Sequence, residues 1–355
     1  MNTLLKTLPL AALCLSTSAF GADNQSDTNT CLASGDLNYV CGMKNPEDLA
    51  VLNQHYLIAS GMAPESGLHL IDTQHKTAER LAFAVAQNPQ YKDCDAAPVA
   101  DEMQAHGISL RKVSKNQSWL YVVNHGGSEQ ITDLANGKGR ETIEVFSIDT
   151  QNDKPSLTWQ GCVKMPENLV ANGVVSNKNG AIYSTVSLHP NDTAMDFFGT
   201  RPTGAVYRWT PQSGKFEKLQ GTEMVGNNGI EISKNGKYLY VVGMTQVAKF
   251  TATQPAKTVA TAKIDSGLGD NIRWAGNRLI IGASRLENCP PAGAGFSCMT
   301  GYHVSAVNTR NLKITPLLKG ENTAEFSGVS VALPVKNTLW LGSFHGDRLA
   351  YKAFQ

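Results

Sequence analysis

Six short stretches of this 355-residue chain each set a polar side chain two positions ahead of the residue that starts an apolar strand. They are Glu47-Asp48-Leu49, His106-Gly107-Ile108, Asn172-Gly173-Val174, Asn228-Gly229-Ile230, Asp270-Asn271-Ile272 and Ser327-Gly328-Val329. Any one of them alone reads as a turn. Six in one phase read as side chains brought to one place. Glu47, Asn172, Asn228, Asp270 and Asn271 would supply two carboxylates and three amide oxygens there. That is a hard donor set. Calcium takes about six to eight oxygen ligands and tolerates amides and irregular geometry. Zinc prefers His and Cys, and non-haem iron a His-rich triad. Without a cation, Glu47 and Asp270 would be desolvated close together and would repel. The expected cofactor is therefore Ca2+.

Such an ion can polarise an ester or lactone carbonyl and stabilise the oxyanion that follows. Hydrolysis also needs a base. His106 opens the second stretch and is the candidate, with an ordinary pKa of about 6.5. His125, in Val123-Asn124-His125, is placed to orient it or relay its proton. Asp270 counts with the two histidines among the catalytic residues, because losing it should remove both ion and turnover. Competing signals are absent: there is no G-x-S-x-G elbow, H-E-x-x-H, phosphate loop or dinucleotide fingerprint. Ser327 and Ser330 lack an elbow context and read as channel lining.

The elements that must position these residues are short strands. Trp119-Leu120-Tyr121-Val122-Val123, Tyr238-Leu239-Tyr240-Val241-Val242 and Thr338-Leu339-Trp340-Leu341-Gly342 show the β-branched and aromatic bias of strands. Asn179-Gly180, Asn235-Gly236 and Gly276-Asn277 read as hairpin turns. No long amphipathic helix is evident. The onsets recur every roughly 40 to 65 residues, close to the period of a four-stranded propeller blade. The reading is an all-β, six-bladed β-propeller over 43–355, with one inner strand per blade lining a central channel. Loops 187–204 and 285–301 are expected to overhang its mouth.

Net charge is +1 and no basic run interleaves with aromatics, which argues against a nucleic-acid partner. Lys6, the apolar Leu8–Leu15 core and small residues up to Gly21 read as a signal peptide over 1–21. A polar leader over 22–42 would follow. The apolar core is too short for a stable membrane anchor, so the expectation is a secreted or periplasmic protein. Removing Cys14 with the signal leaves six cysteines, an even number. Zinc ligation finds no C-x-x-C, so disulfides are expected. Spacing leaves the pairing open. The expected set is Cys31–Cys41, Cys94–Cys162 and Cys289–Cys298.

Several segments resemble the paraoxonase (arylesterase) and gluconolactonase group: Asn45-Pro46-Glu47-Asp48-Leu49, Ala105-His106-Gly107-Ile108, Tyr121-Val122-Val123-Asn124-His125, Asn228-Gly229-Ile230-Glu231-Ile232-Ser233-Lys234-Asn235-Gly236-Lys237-Tyr238, Gly269-Asp270-Asn271-Ile272 and Leu341-Gly342-Ser343-Phe344-His345. The resemblance implies a calcium-dependent six-bladed propeller that hydrolyses lactones or aryl esters. It points to Glu47, Asn172, Asn228, Asp270 and Asn271 as ligands and to His106 and His125 as a dyad. Two departures matter. Gly173 stands where the family has an Asp for a second, structural calcium. The final Tyr351-Lys352-Ala353-Phe354-Gln355 lacks the Cys that ties the family's last strand to its N-terminus. Closure is expected instead from strand pairing with the segment around Cys31–Cys41. The retained apolar leader that anchors family members to lipid particles has no counterpart after cleavage.

The function expected is calcium-dependent hydrolysis of a small lactone or ester. A calcium-stapled binding or scaffold propeller without turnover is the alternative, and a condensing or lyase activity on the same scaffold is a third.

Overall fold

A computed structural model describes residues 31–126, 139–265, 267–287 and 298–354. The chain is a six-bladed β-propeller of antiparallel sheets. The inner strands are Leu49–Val51, Ala105–Lys112, Ala171–Ser176, Ile230–Ile232, Leu268–Ala275 and Val329–Val335. Each blade runs outward from its inner strand through successive hairpins, and the three Gly-containing turns expected from sequence all join paired strands. Two short 3₁₀ helices, Ala100–Glu102 and Ala194–Phe198, are the helical turns among the described residues.

Two details differ from six plain four-stranded blades. Blade 2 has a fifth, outermost strand, Phe83–Val85, paired parallel to Ser156–Lys164. In blade 6 the outermost strand is Asn38–Cys41, pairing antiparallel with Arg348–Ala353 from the other end of the chain. The ring thus closes by strand pairing near Cys41, as expected from the sequence. The last residues of the segment read as a leader are a strand of the propeller.

The core follows from this arrangement. Six apolar clusters each take residues from two consecutive blades. One sits between blades 6 and 1, with Leu49, Leu57 and Ile71 against Val40, Val331, Leu333, Trp340 and Leu349. Strands alternate sides, so every blade buries both faces against neighbours. That is why the strands read as near-continuous apolar runs rather than as an in–out alternation.

Cys94 and Cys162 are joined by a disulfide that ties the approach to blade 2 onto its fourth strand. Cys31, Cys41 and Cys298 are disulfide-bonded as well. Such bonds persist in oxidising compartments. Cys289 lies outside the described residues, and with it the Cys289–Cys298 pairing. No described helix is long and apolar enough to cross a membrane.

Candidate metal and catalytic site

The six onsets keep one phase. Leu49, Ile108, Val174, Ile230, Ile272 and Val329, each two residues past the polar position, are all 0% exposed. These anchors hold the onsets at one end of the channel. The ladder is broken across 105–108, 171–174 and 269–272, so the site residues there step out of strand register. The blades also crowd together at this level. A Cβ on Gly107 would come within 2.3 Å of the Asn172 carbonyl oxygen, and one on Gly229 within 2.6 Å of that of Asp270. Glycine lets these successive onsets touch.

The five expected ligands come together in part through direct bonds. Asn271 Nδ2 donates to Glu47 Oε1 at 2.5 Å. The Asn228 side chain hydrogen-bonds the Asp270 carboxyl. Asn172 abuts the blade 2 onset through Gly107. Four oxygens of the set are buried with no hydrogen-bond partner in the protein: Glu47 Oε2, Asn172 Oδ1, Asn228 Oδ1 and Asn271 Oδ1. A buried acceptor left unmade costs roughly 1–3 kcal/mol. A single cation bound within the ring would satisfy all four. Burial raises Glu47 well above the usual carboxylate range, with the charges of Asp48 and Asp270 adding to it. Burial, then Asp48, pushes Asp270 up to about 8. Among the described residues no three of His, Cys, Asp and Glu cluster as a metal site. This set, two carboxylates and three amides, instead fits a hard oxygen-seeking cation.

The two histidines meet. His106 Nδ1 and His125 Nε2 are 2.9 Å apart. His125 Nδ1 lies 2.7 Å from Glu141 Oε2, and Glu141 Oε1 accepts from the Ala171 N–H at 2.7 Å. A carboxylate only accepts, so His125 donates from Nδ1 and presents Nε2 as acceptor. His106 then donates from Nδ1, and its Nε2 keeps a lone pair. That atom faces the ring, 3.8 Å from Glu47 Oε1. Burial, with His125 second, holds His106 well below the usual histidine range. Its lone pair is thus turned toward the ring.

Glu141 escaped the sequence reading, although it is the direct cross-strand partner of His125. A second omission is Arg273. Buried on the inner strand of blade 5, it spans the axis. Nε donates to Asp48 Oδ1 at 3.0 Å, and Nη2 pairs with Asp48 Oδ2 and with the Ile108 carbonyl. Nη1 reaches the Ile230 and Ile272 carbonyls and lies 3.7 Å from Glu231. Burial pulls its pKa down, and the charges of Asp48 and Glu231 more than offset this, so it stays charged. Asp48 is therefore committed to a guanidinium. At Gly173 a Cβ would meet the Asn228 carbonyl oxygen at 2.9 Å, so an aspartate there has no room.

Access is limited but present. Glu47 and Asn271 are 1% exposed, whereas Asn172, Asp270 and Ser327 are partly open. The 187–204 loop packs beside the blade 4 onset: Ser187 Oγ donates to the Asn227 carbonyl at 2.6 Å and Phe197 lies against Gly226. Residues 288–297, most of the second loop, lie outside the described residues. A cavity of about 500 Å³ opens among the far ends of inner strands of blades 1, 5 and 6, lined by Val51, Trp274, Val335 and Lys336. It contains none of the candidate ligands or bases, so size alone does not mark the chemistry.

No family model matches the chain, and no curated protein matches it in sequence. Solved structures do. The major allergen Mala s 1 of Malassezia sympodialis is 13% identical with a TM-score of 0.52, over 91% of this chain and 96% of that one. A luciferin-regenerating enzyme is 11% identical, TM-score 0.49, over 89% and 92%. A candidate 6-phosphogluconolactonase from Bacteroides uniformis is 14% identical, TM-score 0.41, over 76% and 68%. At these identities the likeness to Mala s 1 shows the shared fold and assigns no activity.

Proposed function

We propose that this protein is an exported, calcium-dependent hydrolase of a lactone or of an aryl or carboxylic ester. The observation that carries the reading is the ring of four partnerless buried oxygens, with His106 Nε2 aimed into it. Glu47, Asn172, Asn228, Asp270 and Asn271 would hold the ion. When bound, calcium supplies an electrophile for the carbonyl and a counter-charge for the oxyanion. His106 Nε2 takes a proton from the attacking water. His125 holds the ring of His106 in the right tautomer, and Glu141 does the same for His125 and stabilises the positive charge that develops. The buried walls keep bulk water from competing for these groups. The resemblance to paraoxonases and gluconolactonases points to the same chemistry.

One observation favours the non-catalytic alternative. Glu47 and Asn271 are almost completely buried, as a purely structural ion would require. Assaying the purified protein on small lactones and aryl esters separates the two readings. Hydrolysis that disappears on chelation and returns with calcium is the expected result. Folded, calcium-binding protein with no turnover on any substrate would establish the staple.

A further inference from the structure

The sixth member of the ring is Ser327, and it does not stand alone. Ser327 Oγ and His345 Nε2 are 3.0 Å apart. Ser343 fixes the pair from behind. Its hydroxyl proton is shared between the Ser327 carbonyl, at 2.6 Å, and the His345 carbonyl, and the His345 N–H donates to its oxygen at 3.1 Å. Gly328 makes room: a Cβ there would lie 2.7 Å from His345 Cδ2. The pair also joins the metal ring. The Ser343 N–H donates to the Pro46 carbonyl at 2.8 Å, and Ser330 Oγ donates to that of Glu47 at 2.5 Å. Around the axis the Glu47 onset therefore lies between the blade 2 onset, with His106, and the blade 6 onset, with Ser327. His106 is buried, whereas His345 is exposed and Ser327 partly open.

Ester hydrolysis needs two proton transfers, one from water and one to the leaving oxygen. The first belongs to His106. We propose that Ser327, backed by His345, performs the second. Water adds to the acyl carbon while its proton passes to His106 Nε2. The acyl C–O bond then breaks with its electron pair on the leaving oxygen, which takes the Ser327 hydroxyl proton. Ser327 regains its proton from solvent through the exposed His345, which takes one proton at Nδ1 and passes one on from Nε2. His106 releases its proton to solvent, so the sum is water plus ester giving acid plus alcohol. This inference rests on the hydrolase reading and assigns that site its leaving-group end, on the side of Glu47 away from His106.

The test compares a substrate whose leaving oxygen is a strongly basic alkoxide, δ-valerolactone, with one whose nitrophenolate leaves without help, para-nitrophenyl acetate. Ser327→Ala and His345→Gln should lower lactone turnover by roughly 10²-fold, the lower end of general-acid effects, and at least tenfold more than aryl-ester turnover. Ser327→Thr, which keeps a hydroxyl, should restore the lactone rate. Equal losses on both substrates, or no loss on either, would overturn the proton-donor role and leave the hydrolase reading standing. A wild type inactive on both would overturn the hydrolase reading and this inference together.

Discussion

In the proposed hydrolysis His106 and Glu141 would act on one proton from two distances. His106 would touch the attacking water, whereas Glu141 works through His125. His106→Gln should lower turnover by roughly 10²-fold or more while calcium affinity holds. Glu141→Gln should cost less, again without moving the calcium titration. Equal loss of turnover and affinity in His106→Gln would make that residue structural. Arg273 sets a different expectation. It is the permanent cation of the axis, bonded to Asp48 and to carbonyls from four blades. Removing one partner of a buried ion pair costs roughly 3–5 kcal/mol. Arg273→Met should lose stability on that scale in urea unfolding, and adding Asp48→Asn should recover much of the loss. Additive effects of the two substitutions would mean that the pair is not coupled.

At the scale of strands, His69 offers a pH test clear of the metal ring. It lies on Gly67–Asp72 of blade 1, opposite Arg80. Burial, then the Arg80 charge, lowers its pKa to about 4. The unfolded chain therefore binds more protons than the folded one between pH 4 and the ordinary histidine value. Stability from this group is complete above about pH 6.5 and declines as pH falls toward 4, by about 3 kcal/mol in total. His69→Leu should flatten that slope in denaturant unfolding at pH 5 and pH 7; an unchanged slope would place the proton uptake elsewhere. Strands were also the part of the fold most open to sequence reading. The phase of the six onsets, the hairpin turns and the blade period are local patterns. Glu141 was hidden because the 127–138 connection conceals the register that sets it opposite His125. Arg273 had a signal, a charge inside the apolar run Ile272-Arg273-Trp274, but its partners lie on other blades. The bulges that turn Asn172 and Asp270 out of register depend on neighbouring blades and leave no mark in a single segment.

For the whole molecule, closure is the decisive contact. Asn38–Cys41 pairs with the last strand and contributes Val40 to the core between blades 6 and 1. Tyr39 is 6% exposed in this strand, its hydroxyl bonded to Thr323 Oγ1 at 2.9 Å and its ring under Arg348. Tyr39→Ala should destabilise the propeller by roughly 3 kcal/mol, the scale of an aromatic truncation in a core. A urea midpoint shared by fluorescence and circular dichroism would show the ring opening as one unit. Separate midpoints would mean that blade 6 opens alone.

The central claim is that five side chains from four blades, Glu47, Asn172, Asn228, Asp270 and Asn271, hold one calcium at the axis. Its most direct test is calorimetric titration of calcium into chelated protein, wild type beside Asp270→Ala. The account predicts one ion per chain for the wild type and none for Asp270→Ala, with both proteins folded by circular dichroism. Wild-type protein that takes up no calcium, or Asp270→Ala that binds it as well as the wild type does, would contradict it.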